Sequence, residues 1–317
     1  MSGTTTPQPE FDVRLDPPDL SPWAAGNTGI PGFTSMTGPR PGPHVAILAL
    51  THGNEFAGAI VLDRLLRAGC APARGKLTLG FVNQDAFDRF DVMHPTASRF
   101  LDEDLNRVWD ESVLNGPRRS RELDRAREIR PLIDTVDVLL DLHSMLWPSD
   151  PLMLCGASAR GRDLAHGIGA PTLVVADRGH ASGKRLIDYT RFTEFGCDAR
   201  ANLLEAGQHW HPATVDTVET CVAGLLRNVG MIDDPAPIPT GSPQRFAMVT
   251  TAVTAATKHF AFVGTYRGGD IVPRRNTVIA YDGDTEIRTP HDDCLLVMPS
   301  LRPGKGHTAV RLARFET

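Results

Sequence analysis

Cysteine is scarce and unpatterned in this chain: Cys70, Cys155, Cys197, Cys221 and Cys294 are odd in number, far apart and never stand as C-x-x-C. A disulfide framework is therefore not expected, and the five read as reduced core thiols. Long apolar runs are absent too, since no stretch approaches the roughly 20 residues that span a bilayer. Residues 1–16 are polar and proline-rich rather than charged and then apolar. No secretory signal and no membrane partner are expected, and the protein reads as soluble and cytoplasmic. Positive charge is nowhere concentrated: a net charge of −5, a pI near 6.1 and the lack of a Lys/Arg block provide no field for a phosphate backbone. Nucleic acid is excluded as the expected partner. No G-x-S-x-G elbow, Walker loop or G-x-G-x-x-G fingerprint occurs, so serine-hydrolase, nucleotide and dinucleotide readings lose their main support.

What is present is enough chain, 317 residues with 41% hydrophobic content, for one large core or a large and a small one. Residues 1–43 are rich in Pro, Gly, Ser and Thr, include a strand-capable piece at 11–15, and read as an N-terminal arm or edge segment. From His44 onward apolar strands at 44–50, 77–83, 136–142, 172–176 and 201–204 alternate with amphipathic helices at 55–66, 120–133, 159–167 and 213–228. That alternation predicts an α/β fold whose mixed, largely parallel sheet is joined through flanking crossover helices, over a catalytic domain at 44–235. Pro212 opens the last helix just inside its start. The segment 233–243 is too proline-dense for helix or central strand and marks the domain boundary. Short β-type runs at 246–253, 260–265, 277–281 and 294–298, punctuated by glycine and proline, predict a small β-rich C-terminal domain at 243–317.

Polar residues stand where the core strands end. Thr51-His52-Gly53-Asn54-Glu55 follows the run 44–50 directly, and a strand of this kind delivers its last residues to the crevice where ligands bind. The following helical pattern places Glu55 in its first turn, so His52 and Glu55 can converge on one ion. The run 135–143 ends in Asp141-Leu142-His143 and brings an imidazole to the same edge. His52, Glu55 and His143 form a set suited to zinc, with the fourth position open as in catalytic sites. Two histidines and one carboxylate also admit iron or cobalt. Asp141 shares the strand face of His143, and it or a backbone carbonyl can fix the ring's tautomer.

Glu205 follows core-type residues at another strand end and is placed to act as general base for water made acidic by a metal. Asn106 and Arg107 offer neutral and cationic donors for a substrate carboxylate. Arg99 is a second cation, suited to polarising a scissile carbonyl or steadying its oxyanion. Each feature has a plainer reading: a chance H-x-x-E, a hydrogen-bonded strand-end histidine, a capped surface turn at 104–107, a solvated loop carboxylate at Glu205. Three polar residues of the needed types, each closing a separate buried strand, are harder to explain as independent accidents. His209 and His211 flank Trp210 and either line the pocket, tune the base or pack; His166, His180, His259 and His291 have structural roles by default. Gly53 and Gly207 relieve backbone crowding at the strand ends.

In order and spacing, Thr51-His52-Gly53-Asn54-Glu55, Asp104-Leu105-Asn106-Arg107, Asp141-Leu142-His143 and Glu205-Ala206-Gly207-Gln208 resemble the motifs of the aspartoacylase/succinylglutamate desuccinylase family, of zinc-carboxypeptidase-like fold. The resemblance covers roughly residues 44–230, with a weaker likeness at 289–299. It implies one zinc per chain and a hydrolase that cleaves the amide of a small N-acyl amino acid. It places His52, Glu55 and His143 on the family's zinc ligands and Glu205 on its catalytic glutamate. It likewise places Arg99 on the carbonyl-polarising arginine and Asn106 with Arg107 on the carboxylate-binding pair. A β-rich C-terminal domain that narrows the site's mouth is also implied. The chain departs from aspartoacylases proper where a further arginine precedes the catalytic glutamate: Phe195 stands at that distance, and no tyrosine maps to the one expected from the C-terminal domain. Arg178, Arg185 or Arg191, with Tyr189 or Tyr281, are the candidates to replace them. The competing functions are a metallocarboxypeptidase acting on short peptides and a metal-binding protein without turnover. The oligomeric state is left open, a homo-oligomer included.

Overall fold

The computed structural model of the chain describes residues 11–180, 182–232 and 243–316. In chain order its elements begin with β1 (Phe33–Thr37), β2 (His44–Ala49), α1 (Ala57–Arg67), β3 (Lys76–Phe81), α2 (Gln84–Phe87), α3 (Glu111–Leu114) and α4 (Arg121–Ile133). There follow β4 (Val138–Met145), β5 (Leu152–Leu154), α5 (Ala159–Ile168), β6 (Leu173–Ala176), α6 (Thr190–Thr193), β7 (Arg200–Gln208) and α7 (Pro212–Asn228). The C-terminal strands are β8 (Arg245–Thr254), β9 (Phe260–Phe262), β10 (Ile271–Val272), β11 (Val278–Asp282), β12 (Thr285–Arg288), β13 (Cys294–Val297) and β14 (Thr308–Phe315).

All five apolar runs expected as strands lie in one sheet, ordered β1-β3-β2-β4-β7-β5-β6-β8-β14-β13-β10. β2 shows why they read as unbroken hydrophobic runs. Val45, Ile47 and Ala49 enter the core under α1, α5 and α7, while Ala46 and Leu48 enter the core under α4. A strand covered on both faces has no polar side to alternate with. β3, β2, β4 and β7 are mutually parallel, as crossover helices require. β5 runs antiparallel to β7 and parallel to β6, which makes the sheet mixed. β5 and β10 are too short to show a period in sequence, and β14 is interrupted by Arg311 and Arg314.

The strand-capable piece at 11–15 forms no strand. Phe11 instead meets Trp147 and Trp210 edge-on, at 5.5 and 5.8 Å between centroids, and the Arg14 N–H donates to the Trp210 carbonyl. Burial of those rings outweighs the local β propensity. β1 closes one sheet edge by antiparallel pairing with β3.

The segment 233–242, read as the domain boundary, lies outside the described residues. Beyond it, β8 pairs in parallel with β6 from Leu173↔Arg245 to Ala176↔Met248, so β8, β14, β13 and β10 continue the central sheet. Ala247, Leu295, Val297 and Ala313 pack into the core on the α4 side. Only β9, β11 and β12 form a separate small antiparallel sheet. All five cysteines are free thiols. Among the described residues no helix is long and apolar enough to cross a membrane.

Because β8 covers β6, a chain ending before residue 243 would leave β6 an open edge beside buried Val174 and Val175. Such a fragment is expected to aggregate. Solubility and size-exclusion chromatography check this, and a soluble monomer with native far-UV circular dichroism would show that the remaining sheet stands alone.

Candidate active site

The chain leaves β2 through Leu50, held at φ 61°, and turns tightly enough that the Glu55 N–H donates to the His52 carbonyl at 3.1 Å. A Cβ on Gly53 would lie 2.5 Å from Ala86 C, Phe87 N and Ser98 O, so only glycine fits beneath this turn. The Gly53 N–H donates to the Arg99 carbonyl, and the Trp210 indole donates to the Asn54 carbonyl, both at 3.1 Å. Helix α1 starts only at Ala57, with Phe56 as its cap. Glu55 thus belongs to the turn ahead of the helix rather than to its first turn, because the 52–55 hydrogen bond closes a separate loop.

The turn brings Glu55 between two imidazoles. Its Oε1 lies 2.8 Å from His52 Nδ1 and its Oε2 lies 3.1 Å from His143 Nδ1. Donor atoms of His52, Glu55 and His143 all fall within 4.8 Å of one another, and all three residues are buried. The outer ring nitrogens are also held: His143 Nε2 donates to Asp141 at 2.9 Å, and His52 Nε2 donates to Asp104 at 2.8 Å. Asp141 in turn accepts from the Thr51 hydroxyl at 2.9 Å. Imidazoles with one nitrogen turned inward and the other held by a carboxylate are oriented as metal ligands are. The donor set therefore fits a divalent cation.

Charge in this cluster is strongly biased. Burial alone would lower His143, but the charge and hydrogen bond of Asp141, with those of Glu55, raise it well above the usual histidine value. Burial works against Glu55, yet the neighbouring His52 and His143 hold its carboxyl well below the ordinary range. Asp104 behaves likewise: burial would raise it, and His52, Arg99 and Arg107 together hold it far below. The Ser144 N–H donates to Glu55 at 3.0 Å, and the Ser144 hydroxyl pairs with His209 Nδ1 at 2.8 Å. Buried His209, pushed down to about 4 chiefly by burial and then by Arg99, His52 and His143 against Glu55, is a neutral brace behind Glu55. His211 caps α7 by accepting from the Ala213 N–H.

Glu205 stands level with His143 on the adjacent strand. Both project to the α4 side, since Leu142, Leu204 and Ala206 face the opposite core. Neither residue ends its strand: the ladder runs on to Met145↔Gln208 through an irregularity opposite Ala206 and Gly207, the latter at φ 130°. An extra residue here lets the strand bend just past the carboxylate. Glu205 Oε2 is buried without a hydrogen-bond partner. Its carboxyl is pushed up to about 8, first by burial and then by Glu55, against the pull of His143, Arg99 and Arg311. A buried, unpartnered carboxyl titrating near neutrality can take up and release a proton.

Arg99 reaches the same cluster, its Nη1 donating to Glu55 at 2.8 Å and its Nη2 to Asp104 at 3.1 Å, with 36% of its side chain exposed. Asn106 is buried, and its carbonyl oxygen accepts from the Leu186 N–H at 2.8 Å, which leaves its amide nitrogen as the remaining donor. Arg107 donates to the Asn106 carbonyl at 2.6 Å. Burial pushes it down to about 10, with Arg99, Arg311 and Arg185 adding to the shift and Asp104 opposing it.

The candidate replacements for the absent arginine and tyrosine fare differently. Phe195 is fully exposed. Arg191 donates to the Val136 carbonyl and to Asp137, and Tyr189 donates to Asp134, all at the opposite end of β4. Arg178 and Tyr281 are exposed. Arg185 is buried but forked between Asp177 and Asp188. A cation outside that set, Arg311 of β14, lies beside Asp177 and exerts its charge on Glu205 and Arg107. Nothing in the sequence marks it beyond a lone arginine in an alternating run. Asp104 was legible as a neighbour of Asn106-Arg107, though not as the partner of His52.

Residues 41–227 match the succinylglutamate desuccinylase/aspartoacylase catalytic domain. Aspartoacylase of Xenopus tropicalis is 33% identical over 116 residues, which are 33% of this chain and 35% of that protein. The human N-acyl-aromatic-L-amino acid amidohydrolase (carboxylate-forming) is 33% identical over 125 residues, 35% of this chain and 36% of its own. The match thus spans little more than a third of either relative. In fold the chain is similar to the succinylglutamate desuccinylase of Vibrio cholerae, with a TM-score of 0.69 at 16% identity over 90% of this chain and 85% of that one.

His143, with a carboxylate on each ring nitrogen, holds a proton above its ordinary pH range in the cation-free protein, and a cation must displace that proton. Divalent cation binding is therefore expected to release protons and to weaken by about tenfold per pH unit for each proton displaced as pH falls. Calorimetric titration in buffers of different ionisation enthalpy measures this; binding with no proton release would remove His143 from the ligand set.

Proposed function

The chain belongs to the succinylglutamate desuccinylase/aspartoacylase family, and from that premise we propose that it is a zinc-dependent amidohydrolase cleaving the amide bond of a small N-acyl amino acid to a carboxylate and a free amine. The observation that carries this reading is the unpartnered carboxyl of Glu205 level with His143, beside the convergent donors of His52 and Glu55. Zinc held by these three residues would supply Lewis-acid polarisation, a more acidic water and positive charge that lowers the proton affinity of Glu205 and favours its carboxylate form.

The chain's own residues supply the rest. Glu205 takes the proton from the attacking water and returns it to the leaving nitrogen, a role suited to a group whose burial already lifts it out of the ordinary carboxylate range. Asp104 and Asp141 hold the two imidazoles in one tautomer, and His209 braces Glu55 through Ser144. Arg99 is the donor assigned to the scissile carbonyl. The Asn106 amide nitrogen and the Arg107 guanidinium are assigned to the substrate carboxylate. Five free thiols suit a reducing compartment, and we place the enzyme in the cytoplasm, acting on a small molecule.

A metallocarboxypeptidase would share the metal set, the base and the carboxylate clamp. Acetyl- and succinyl-amino acids are expected to turn over faster than dipeptides carrying the same C-terminal residue, and a steady-state comparison on zinc-loaded enzyme in which dipeptides win would reverse the assignment.

Two variants test the division of labour. Glu205→Gln is expected to keep its metal and lower kcat by about 10²–10⁴-fold, the usual contribution of a positioned base. His143→Ala is expected to lose metal as well. Metal analysis beside activity separates the two; an active Glu205→Gln enzyme would favour a different base, and a zinc-loaded wild type that hydrolyses no acyl-amino acid would favour a binding protein without turnover.

A further inference from the structure

Arg311 lies on the last strand, paired with Val297 on one side and Ala252 on the other. In the sheet order β14 stands four places from β7, about 19 Å at the usual strand spacing. Its side chain lies beside Asp177, the carboxylate that Arg185 grips, and its charge acts on Glu205, Arg107 and Arg185.

Residues 177–180 and 182–188 connect the two regions. On one side the Leu186 N–H donates to Asn106, Trp109 N–H donates to the Lys184 carbonyl, and Gly183 is packed against the Arg107 backbone. On the other side His180 pairs with the Thr308 hydroxyl at 3.0 Å, and Asp177 faces Arg311. That aspartate is already engaged, because Arg185 binds both its oxygens, at 2.6 and 2.9 Å. Arg311 Nε stays 3.6 Å from Asp177, too far for a hydrogen bond.

Among the described residues, then, Arg311 makes one long ion pair and no hydrogen bond, while only 9% of its side chain is exposed. Its guanidinium N–H donors are therefore available to an anion from outside the chain. The surroundings reinforce this: His180 is pushed down to about 3 by burial and by Arg107, Arg311 and Arg185, so the pocket resists further positive charge.

We propose that Arg311 is a specificity-determining residue, whose guanidinium receives a second carboxylate of the substrate, distinct from the one assigned to Asn106 and Arg107. This rests on the amidohydrolase reading. The planar fork of arginine matches a carboxylate in a bidentate way that a point charge does not. The place of the missing arginine before Glu205 is thus filled from the far end of the chain.

The test compares matched substrates that differ only in a carboxylate: succinyl against butyryl on the acyl side, aspartyl and glutamyl against asparaginyl and glutaminyl on the amine side. For one arm wild type is expected to favour the carboxylate in kcat/KM, and Arg311→Met to reduce that ratio by at least about tenfold. Arg311→Lys keeps the charge against Asp177 and carries the test should the methionine chain not fold; it is expected to shift the ratio the same way by less. A ratio unchanged in either folded variant, or a wild type with no preference on either arm, overturns the proposal. Calorimetric binding of succinate and glutarate needs no turnover. Binding by wild type that weakens at least about tenfold in Arg311→Met supports the subsite even if no acyl-amino acid is hydrolysed, in which case the functional reading alone fails. Hydrolysis of neutral acyl-amino acids with dicarboxylate binding equal in both proteins sinks the subsite and leaves the function standing.

Discussion

Glu55 accepts two imidazoles that arrive from different strands, and the surrounding structure is arranged to make that meeting stable. A carboxylate as buried as this one is tolerated only if its charge is matched and its lone pairs are used. His52, His143, Arg99 and the Ser144 N–H meet both requirements. The geometry behind them follows from backbone constraints: a left-handed Leu50, a glycine with no room for a Cβ, and the parallel register that sets β2 beside β4. Loss of any one would move a donor, and donors in a site of this size cannot shift far without leaving charge buried and unpaired.

Around that centre the charges form two groups with different tasks. Asp104 and Asp141 are anions that hold ligands in place, and their energies are tied to the imidazoles they touch. Arg99, Arg107, Arg185 and Arg311 form a surrounding set of cations, of which Arg185 alone is fully occupied by carboxylates. Glu205 lies between the two groups, raised by Glu55 and lowered by the arginines. Its proton affinity is set first by its burial and then by the charges of the whole assembly. A fixed field of this kind favours an anionic small molecule, in keeping with the family's chemistry.

Much of the framework was legible because it obeys simple periodicities. The apolar runs at 44–50 and 136–142 and the helical pattern at 213–228 correspond to β2, β4 and α7 with shifts of a few residues at their ends. His52 and Glu55 were legible as a candidate pair from their i, i+3 spacing, and His143 as a candidate third donor from its place at the close of a second buried run. Other features left no local trace. β5 has three residues and β10 two, lengths at which period cannot be seen. The arm at 11–15 has strand composition, yet it docks on Trp147 and Trp210, partners far away in sequence.

Taken alone, the sequence determined the kinds of side chain that close each buried run, and with them the α/β class and the candidates for metal donors and base. These depend on near neighbours in the chain, where covalent spacing limits what can meet. Tertiary structure alone decided that Asp104 holds His52, that the C-terminal strands continue the central sheet, and that Arg311 lies beside Asp177 and adds its charge to Glu205. Those outcomes depend on the order of strands and loops far apart in the chain, and no local spacing encodes them.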